Sequence, residues 1–213
     1  MRELSKGIKE PMPNAFKELK RVLKYVIDTK DRGLKMEPKF GEDKNWNMTI
    51  YTDSDWAGDK DTRRSVSGYV MFLLNCPIMW KSRQQKVVSL SSSEAEIYAC
   101  SDAAKEIKFV YQILETMGIK VKLPITVRVD NVGAIFMAEN ISVSQRTKHI
   151  DIRTKFLMEY IKDGFIKITF VKSENNLSDG FTKNVSGEVF EKHKDDLVAD
   201  KKYVQFDTKE EGC

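Results

Sequence analysis

Histidine and cysteine are nearly missing from this sequence, with 2 His and 3 Cys in 213 residues. Cys76, Cys100 and Cys213 are odd in number and far apart. That excludes a disulfide scaffold and a zinc-type ligand pattern, and it leads us to expect a reducing intracellular compartment, the cytoplasm. A Ser-His-Asp constellation has nothing to build on, since the central block holds only His149 and His193 lies in the tail region. Neither G-x-x-x-x-G-K nor G-x-G-x-x-G occurs, so neither Gly-rich phosphate loop is present. No stretch approaches the roughly 18 uncharged apolar residues of a membrane span. The start, Met1 to Lys6, has no apolar run, and no secretory signal is expected from it. Proline (5) and glycine (11) are too few for collagen-like or low-complexity chains. Neither sign of charge dominates: 36 Lys+Arg stand against 32 Asp+Glu, a formal net charge of +4. Such a balance permits a nucleic-acid partner without demanding one.

What the sequence does have is enough apolar material, 41%, for one buried core. Residues 1–13 read as a polar tail. Phe16, Leu19, Leu23, Val26 and Ile27 recur at helical spacing and predict an amphipathic helix over about 14–29, ended near Gly33. Residues 36–46 read as a linker. Alternation then predicts strands at 48–54 and 68–74, and a third between 77 and about 88, joined as an antiparallel meander. A long helix follows over 91–117, stopped by Gly118. Next come a strand at 125–129, helices at 131–139 and 146–162, a strand at 165–171, and a short helix at about 175–183. The segment from 186 holds one more helix and a polar tail. Hairpin-linked strands followed by α-linked ones imply a mixed sheet with helices on its faces.

Carboxylates stand at telling places in this pattern. Asp53 lies inside the first strand, where charge is costly, although it also reads as a turn former. Asp130 ends the fourth strand, the end of α/β strands at which ligands gather, and it also reads as a helix N-cap. On the long helix, about 100° per residue puts Glu96 within roughly 40° of the centre of the apolar stripe. Glu94 falls about 120° away, on the face expected to be wet. An inward Glu96 needs a partner, either a cation or a neighbouring Lys or Arg. Asp179 taken alone reads as a solvated helix residue. Together, four acids on two strands and two helices suit Mg²⁺, which takes oxygen ligands and keeps open positions for water and phosphate.

These acids sit in longer strings: Thr52-Asp53-Ser54-Asp55-Trp56-Ala57-Gly58-Asp59, Arg64 to Tyr69, Met79 to Gln85, Leu90 to Glu96, Val129-Asp130-Asn131, Arg146 to Arg153, and Asp179 with Phe181-Thr182-Lys183. In order and spacing the chain resembles the RNase H domain that follows reverse transcriptase in the Pol polyproteins of copia-type LTR retrotransposons. The match covers about 48–185, and Phe16 to Leu34 looks like the helix joining the polymerase to that domain. The resemblance implies an RNase H-like α/β fold with a mixed five-stranded sheet, order 3-2-1-4-5, and helices on both faces. It divides the chain into a tail, connection helix and linker over 1–46, an RNase H-like domain over 47–185, and a C-terminal helix and tail over 186–213. It implies hydrolysis of the RNA strand of an RNA–DNA hybrid by a two-metal mechanism. Asp53, Glu96, Asp130 and Asp179 are then the catalytic, metal-binding residues, with two Mg²⁺ ions or Mn²⁺ in their place.

Substrate contact is expected from Trp80, Lys81, Arg83, Asn131, Arg146, Lys148 and His149. Lys and Arg hold phosphates without regard to sequence, and 2′-hydroxyl contacts distinguish RNA from DNA. Trp80 reads equally as a core residue, and His149 as a capping or surface one. The implied partners are the hybrid and the reverse transcriptase region of the parent polyprotein, in the cytoplasm or in retrotransposon particles, and no membrane. The stretch Val171 to Asn176 lacks the histidine that many RNase H enzymes carry before their last catalytic Asp. No Tyr-x-Asp-Asp polymerase motif is present. The alternatives are a catalytically silent or co-opted nucleic-acid-binding relic of the same domain and, among enzymes, a transposase or integrase.

Overall fold

In the computed structural model, residues 4, 10–11, 13–41, 45–140 and 148–200 are described, except the side chains of 148–151 and 200. The chain forms two compact units: residues 1–34 with 198–213, and residues 35–197.

In the first unit, α1 spans Pro13–Asp28. It opens on proline, whose fixed φ and missing N–H suit the first helical position. Its apolar stripe is there as the spacing predicts, yet Phe16, Leu19, Leu23, Val26 and Ile27 are all exposed. Strand β1 (Arg32–Leu34) pairs antiparallel with β7 (Val198–Asp200). This two-stranded ladder has no counterpart in the sequence reading, which placed 32–34 at a helix end and 198–200 in a tail.

The second unit is built on a five-stranded sheet. Its strands are β2 (Met48–Asp55), β3 (Val66–Leu73), β4 (Cys76–Gln84), β5 (Ile125–Val129) and β6 (Ile166–Phe170), standing in the order β4-β3-β2-β5-β6. Pairs β2–β3 and β3–β4 are antiparallel, while β2–β5 and β5–β6 are parallel. This mixed five-stranded sheet is the architecture that the RNase H resemblance implies. Leu74 and Asn75 both take positive φ (52° and 67°). They are the two central residues of a tight turn, whose twist matches the strands it joins.

Strand β3 is buried along nearly its whole length because both of its faces are covered. On one face, Ile50, Met71, Val127 and Val129 pack with Ile97 and Ile107 of α2 (Ser92–Thr116), Ala134 of α3 (Val132–Glu139) and Leu157 of α4 (Lys148–Lys162). On the other, Val70 and Phe72 pack with Tyr51, Leu177, Phe181 and Leu197. That second face carries α5 (Asp179–Thr182) and the end of α6 (Gly187–Leu197). Arg153 ties α4 to α2: its Nη1 donates to Asp102 Oδ1 at 2.8 Å, and its guanidinium lies 4.2 Å from the centre of the Tyr98 ring.

Two elements are shorter than predicted, for local reasons. The third strand stops at Gln84 because Gln85 turns inward. Gln85 Nε2 donates to Ser67 Oγ and to the Ala95 carbonyl, and Ser89 Oγ donates to Gln85 Oε1. Residues 85–91 are thereby held as a loop over the start of α2. The helix expected over 175–183 is instead a 3-10 turn (Ser173–Asn175) followed by the four-residue α5. Between them Asn176 donates through Nδ2 to the Thr52 carbonyl, which docks the segment on β2. No helix among the described residues is long and apolar enough to cross a membrane.

Candidate metal centre

Asp53 comes near the end of β2, the middle strand of the sheet, and is only 2% exposed. Asp130 follows directly on β5, the parallel neighbour of β2. Glu96 projects from the start of α2 and is 4% exposed. One oxygen from each of these three carboxylates lies within 4.8 Å of the others. Three elements far apart in sequence thus bring three acids to one point.

Neighbouring groups orient them. Glu96 Oε1 accepts from the Ser54 backbone N–H (2.8 Å) and from Ser54 Oγ (3.0 Å). Asp53 Oδ2 accepts from Thr182 Oγ1, and Ser173 Oγ donates to Asp130 Oδ2. Asp179, on the opposite face of the sheet from α2, is buried beside them. Lys183 Nζ lies 3.0 Å from Asp179 Oδ2 and 3.7 Å from Asp53 Oδ2, linking the two acids. This approach depends on Gly68, which pairs with Asp53 across the β2–β3 ladder. A Cβ there would meet Thr182 Cγ2 at 2.7 Å and Phe181 Cβ at 2.9 Å. Only glycine lets α5 sit this close.

The electrostatics follow from burial and crowding. Burial pushes the Asp53 carboxyl above its ordinary range, and Asp130 adds to this, against the Thr182 hydrogen bond and the Lys183 charge. Glu96 is raised well above its usual value, first by burial and then by Asp53 and Asp130. Asp179 is pushed up to about 6, by burial and then by Asp53. Burial works to lower the Lys183 ammonium, but the surrounding carboxylates outweigh it and hold it above its ordinary value. One ammonium does not balance the cluster. Glu96 Oε2 and Asp179 Oδ1 are buried and accept no hydrogen bond among the described residues. Leaving charged oxygens so is costly unless a cation or a proton satisfies them. The donor set is all carboxylate oxygen, which suits a hard divalent ion such as Mg²⁺ or Mn²⁺ and fits soft thiophilic metals poorly.

No protein-family model matches the chain. Among known proteins, it is similar to the retrovirus-related Pol polyprotein from transposon RE1 of Arabidopsis thaliana, with 32% identity over 188 residues, 88% of this chain. The corresponding polyprotein from transposon TNT 1-94 of Nicotiana tabacum is 36% identical over 141 residues, 66% of this chain. The chain belongs to the retrovirus-related Pol polyproteins. It spans 13% of the length of the RE1 polyprotein and 10% of that from TNT 1-94. Among solved structures, LC11-RNase H1 in complex with an RNA/DNA hybrid is similar with a TM-score of 0.47 and 13% identity, over 64% of this chain and 94% of that one.

Of the other residues singled out in this Pol segment, three share β4 and one stands at the start of α3. Trp80, Lys81 and Arg83 lie on the edge strand β4, where alternation splits them between faces. Trp80 is opposite Val70 in the ladder and 49% exposed, which removes the core reading. Lys81 points the other way, with Nζ 2.9 Å from Glu106 Oε1 and 5.9 Å from the centre of the Tyr69 ring. Arg83 is exposed. Asn131 is the N-cap of α3: its Oδ1 accepts from Ala134 N–H (2.9 Å) and from Ser93 Oγ (3.1 Å). Arg146 lies outside the described residues, as do the side chains of Lys148 and His149, whose backbone opens α4.

One expectation is corrected. Glu94 is not on a wet face but 2% exposed. Its Oε2 accepts from Leu90 N–H (2.7 Å), while its own N–H donates to Ser91 Oγ (3.1 Å). This is a reciprocal cap of the kind that closes helix starts. A helical wheel describes only the faces of the helix, and here the 85–91 loop covers the face expected to be wet. Sequence reading also passed over Ser54, Thr182 and Ser173 as orienting groups and Lys183 as the charge shared by two acids. Lys183 had a signal, since i+4 on a helical turn brings it beside Asp179.

Proposed function

We propose that this Pol segment is a ribonuclease H that hydrolyses the RNA strand of RNA–DNA hybrids with divalent metal, leaving 3′-hydroxyl and 5′-phosphate ends. The observation that carries the proposal is the convergence of Asp53, Glu96 and Asp130 oxygens within 4.8 Å. Glu96 Oε2 and the nearby Asp179 Oδ1 are buried and have no hydrogen-bond partner among the described residues. Asp53, Glu96, Asp130 and Asp179 would hold two Mg²⁺ ions, or Mn²⁺ in their place. Bound there, the metal supplies an activated water and stabilisation of the departing 3′-oxygen of the phosphodiester.

The chain's own groups do the positioning. Ser54 holds Oε1 of Glu96, while Oε2 has no hydrogen-bond partner among the described residues. Thr182 and Lys183 fix Asp53, and Ser173 fixes Asp130. Ordering these ligands before substrate arrives is the main service a rigid sheet end can offer such chemistry. Exposed basic residues, Arg83 among them, would attract the phosphate backbone in a salt-dependent way. The reverse transcriptase region of a parent polyprotein is the proposed partner, in keeping with the small share of its relatives' length that the chain spans.

The test is to incubate the protein with a hybrid labelled on each strand, with Mg²⁺ and with chelator. RNA fragments bearing 5′-phosphates, an intact DNA strand and no cleavage in chelator are expected. RNA that stays whole in Mg²⁺ would overturn the proposal.

A further inference from the structure

On the sheet face away from α2, α3 and α4 there is a polar cavity of about 330 Å³ that the nuclease reading does not use. Its floor is Thr49 and Tyr51 of β2, Phe72 of β3 and Arg128 of β5. Lys35, Glu37 and Lys39 form one wall. That wall is fixed in place, since Lys35 N–H donates to the Leu197 carbonyl and Lys39 N–H to the Leu74 carbonyl. Asn75, Leu177 and Asp196 complete the lining. The volume is at the lower end of the range for small-molecule sites, enough for a mononucleotide.

Arg128 is the unusual group. Its Nε is buried and has no hydrogen-bond partner, and its guanidinium makes no hydrogen bond or ion pair among the described residues. A guanidinium is a planar fork of donors matched to phosphate or carboxylate, and an unanswered buried donor is costly. Tyr51, Arg128 and Asp196 all line the cavity. Lys35 Nζ makes a single bond, to the Asp195 carbonyl (3.0 Å). Three cations therefore face the cavity with two carboxylates, Glu37 and Asp196. The cations suit a doubly charged oxyanion, and the carboxylates suit hydroxyl donors attached to it.

We infer that this cavity is a second ligand site, which takes a phosphate group borne on a hydroxyl-rich moiety of mononucleotide size, with Arg128 as its anchor. Such a group is found on a free nucleotide and at the 5′ end of an RNA strand, and the experiment separates these sources. The inference does not rest on the nuclease reading, because none of its lining residues belongs to the acid cluster.

The experiment follows the side-chain Nε–H resonance of Arg128 in the full, metal-free chain while 5′-AMP is added to about 10 mM, a range that captures millimolar binding. A saturable shift with 5′-AMP, kept in Asp53→Asn and at least tenfold weaker for adenosine, is the expected result. Arg128→Gln, followed through backbone resonances of Tyr51 and Phe72, should lose the shift, and Arg128→Lys should retain part of it. If a 5′-phosphorylated RNA hexamer displaces 5′-AMP, the site serves RNA ends; if it does not, the site serves free nucleotides. Both outcomes support the site. No saturable shift, equal shifts with adenosine, or an unchanged response in a folded Arg128→Gln protein would overturn it.

Discussion

Two glutamates two positions apart on α2 have different roles, and exchanging each tests the account at the level of single side chains. Glu94 closes the start of α2 through Leu90 and Ser91. Glu94→Ala should therefore cost about 1 kcal/mol of stability. Its cleavage rate per folded molecule should be unchanged. Glu96 belongs to the acid cluster and has one buried oxygen with no hydrogen-bond partner among the described residues. Glu96→Gln should lower cleavage by about two orders of magnitude or more. It should also raise the melting temperature of the metal-free protein, by about 2–4 °C for each kcal/mol of relieved repulsion in a chain of this size. Thermal unfolding and hybrid cleavage measured on both variants check this; similar activity losses in the two would contradict it. At this scale the sequence was informative where chain direction alone decides. Asp53 near the end of a strand, Asp130 just after one and Glu96 on the apolar side of a helix could each be read from periodicity. Glu94 could not, because what covers it is a loop whose path depends on Gln85 turning inward.

Among the secondary-structure elements, the tightest constraint on the site is the approach of α5 to β3. Adding one methyl group at Gly68 should push Thr182 and Phe181 away from the sheet and carry Asp179 and Lys183 with them. Gly68→Ala is expected to destabilise the fold by about 1–3 kcal/mol, as overpacking does. It should also weaken Mg²⁺ binding, measured by titration calorimetry, whereas Gly187→Ala, with open space around it, should do neither. Unchanged Mg²⁺ affinity in Gly68→Ala would show that α5 contributes nothing to the centre. The long elements were legible because their periods are strong: the stripe of α2, and the alternation of β2, β5 and β6. The segment 173–182 was not, because four-residue helices and 3-10 turns have no period to read. Its placement comes from Asn176 reaching the Thr52 carbonyl, a contact across 124 positions of sequence. The β1–β7 ladder was hidden for a similar reason, since strands of three residues are too short to show an alternation.

For the whole molecule, the acid cluster makes stability depend on pH and on metal together. Asp53, Glu96 and Asp179 all have folded-state values raised above the ordinary range, Asp179 to about 6. Between the unfolded value, near 4, and the folded one, the native protein holds protons that the unfolded chain has lost. Metal-free stability should therefore be highest at the acid end of this window and fall as pH rises from about 4 to beyond about 6. Mg²⁺ should reverse the trend by binding the ionised native cluster, with a gain that grows with concentration over the dissociation constant. Denaturant melts at several pH values, with chelator and with Mg²⁺, check both slopes; a metal-free protein that gains stability over this window would contradict the linkage.

The near-balance of charge in the sequence concealed this, since a sum over 36 basic and 32 acidic residues does not show that several acids meet at one point. The central claim is that these acids form a metal-dependent centre that cuts RNA in a hybrid. Its most direct test is the initial rate of RNA cleavage in an RNA–DNA hybrid with Mg²⁺, measured side by side for the unaltered protein and Asp53→Asn. The account predicts cleavage by the first and a loss of about a hundredfold or more in the second, with both proteins folded. Equal rates in the two, or no cleavage by either, would contradict it.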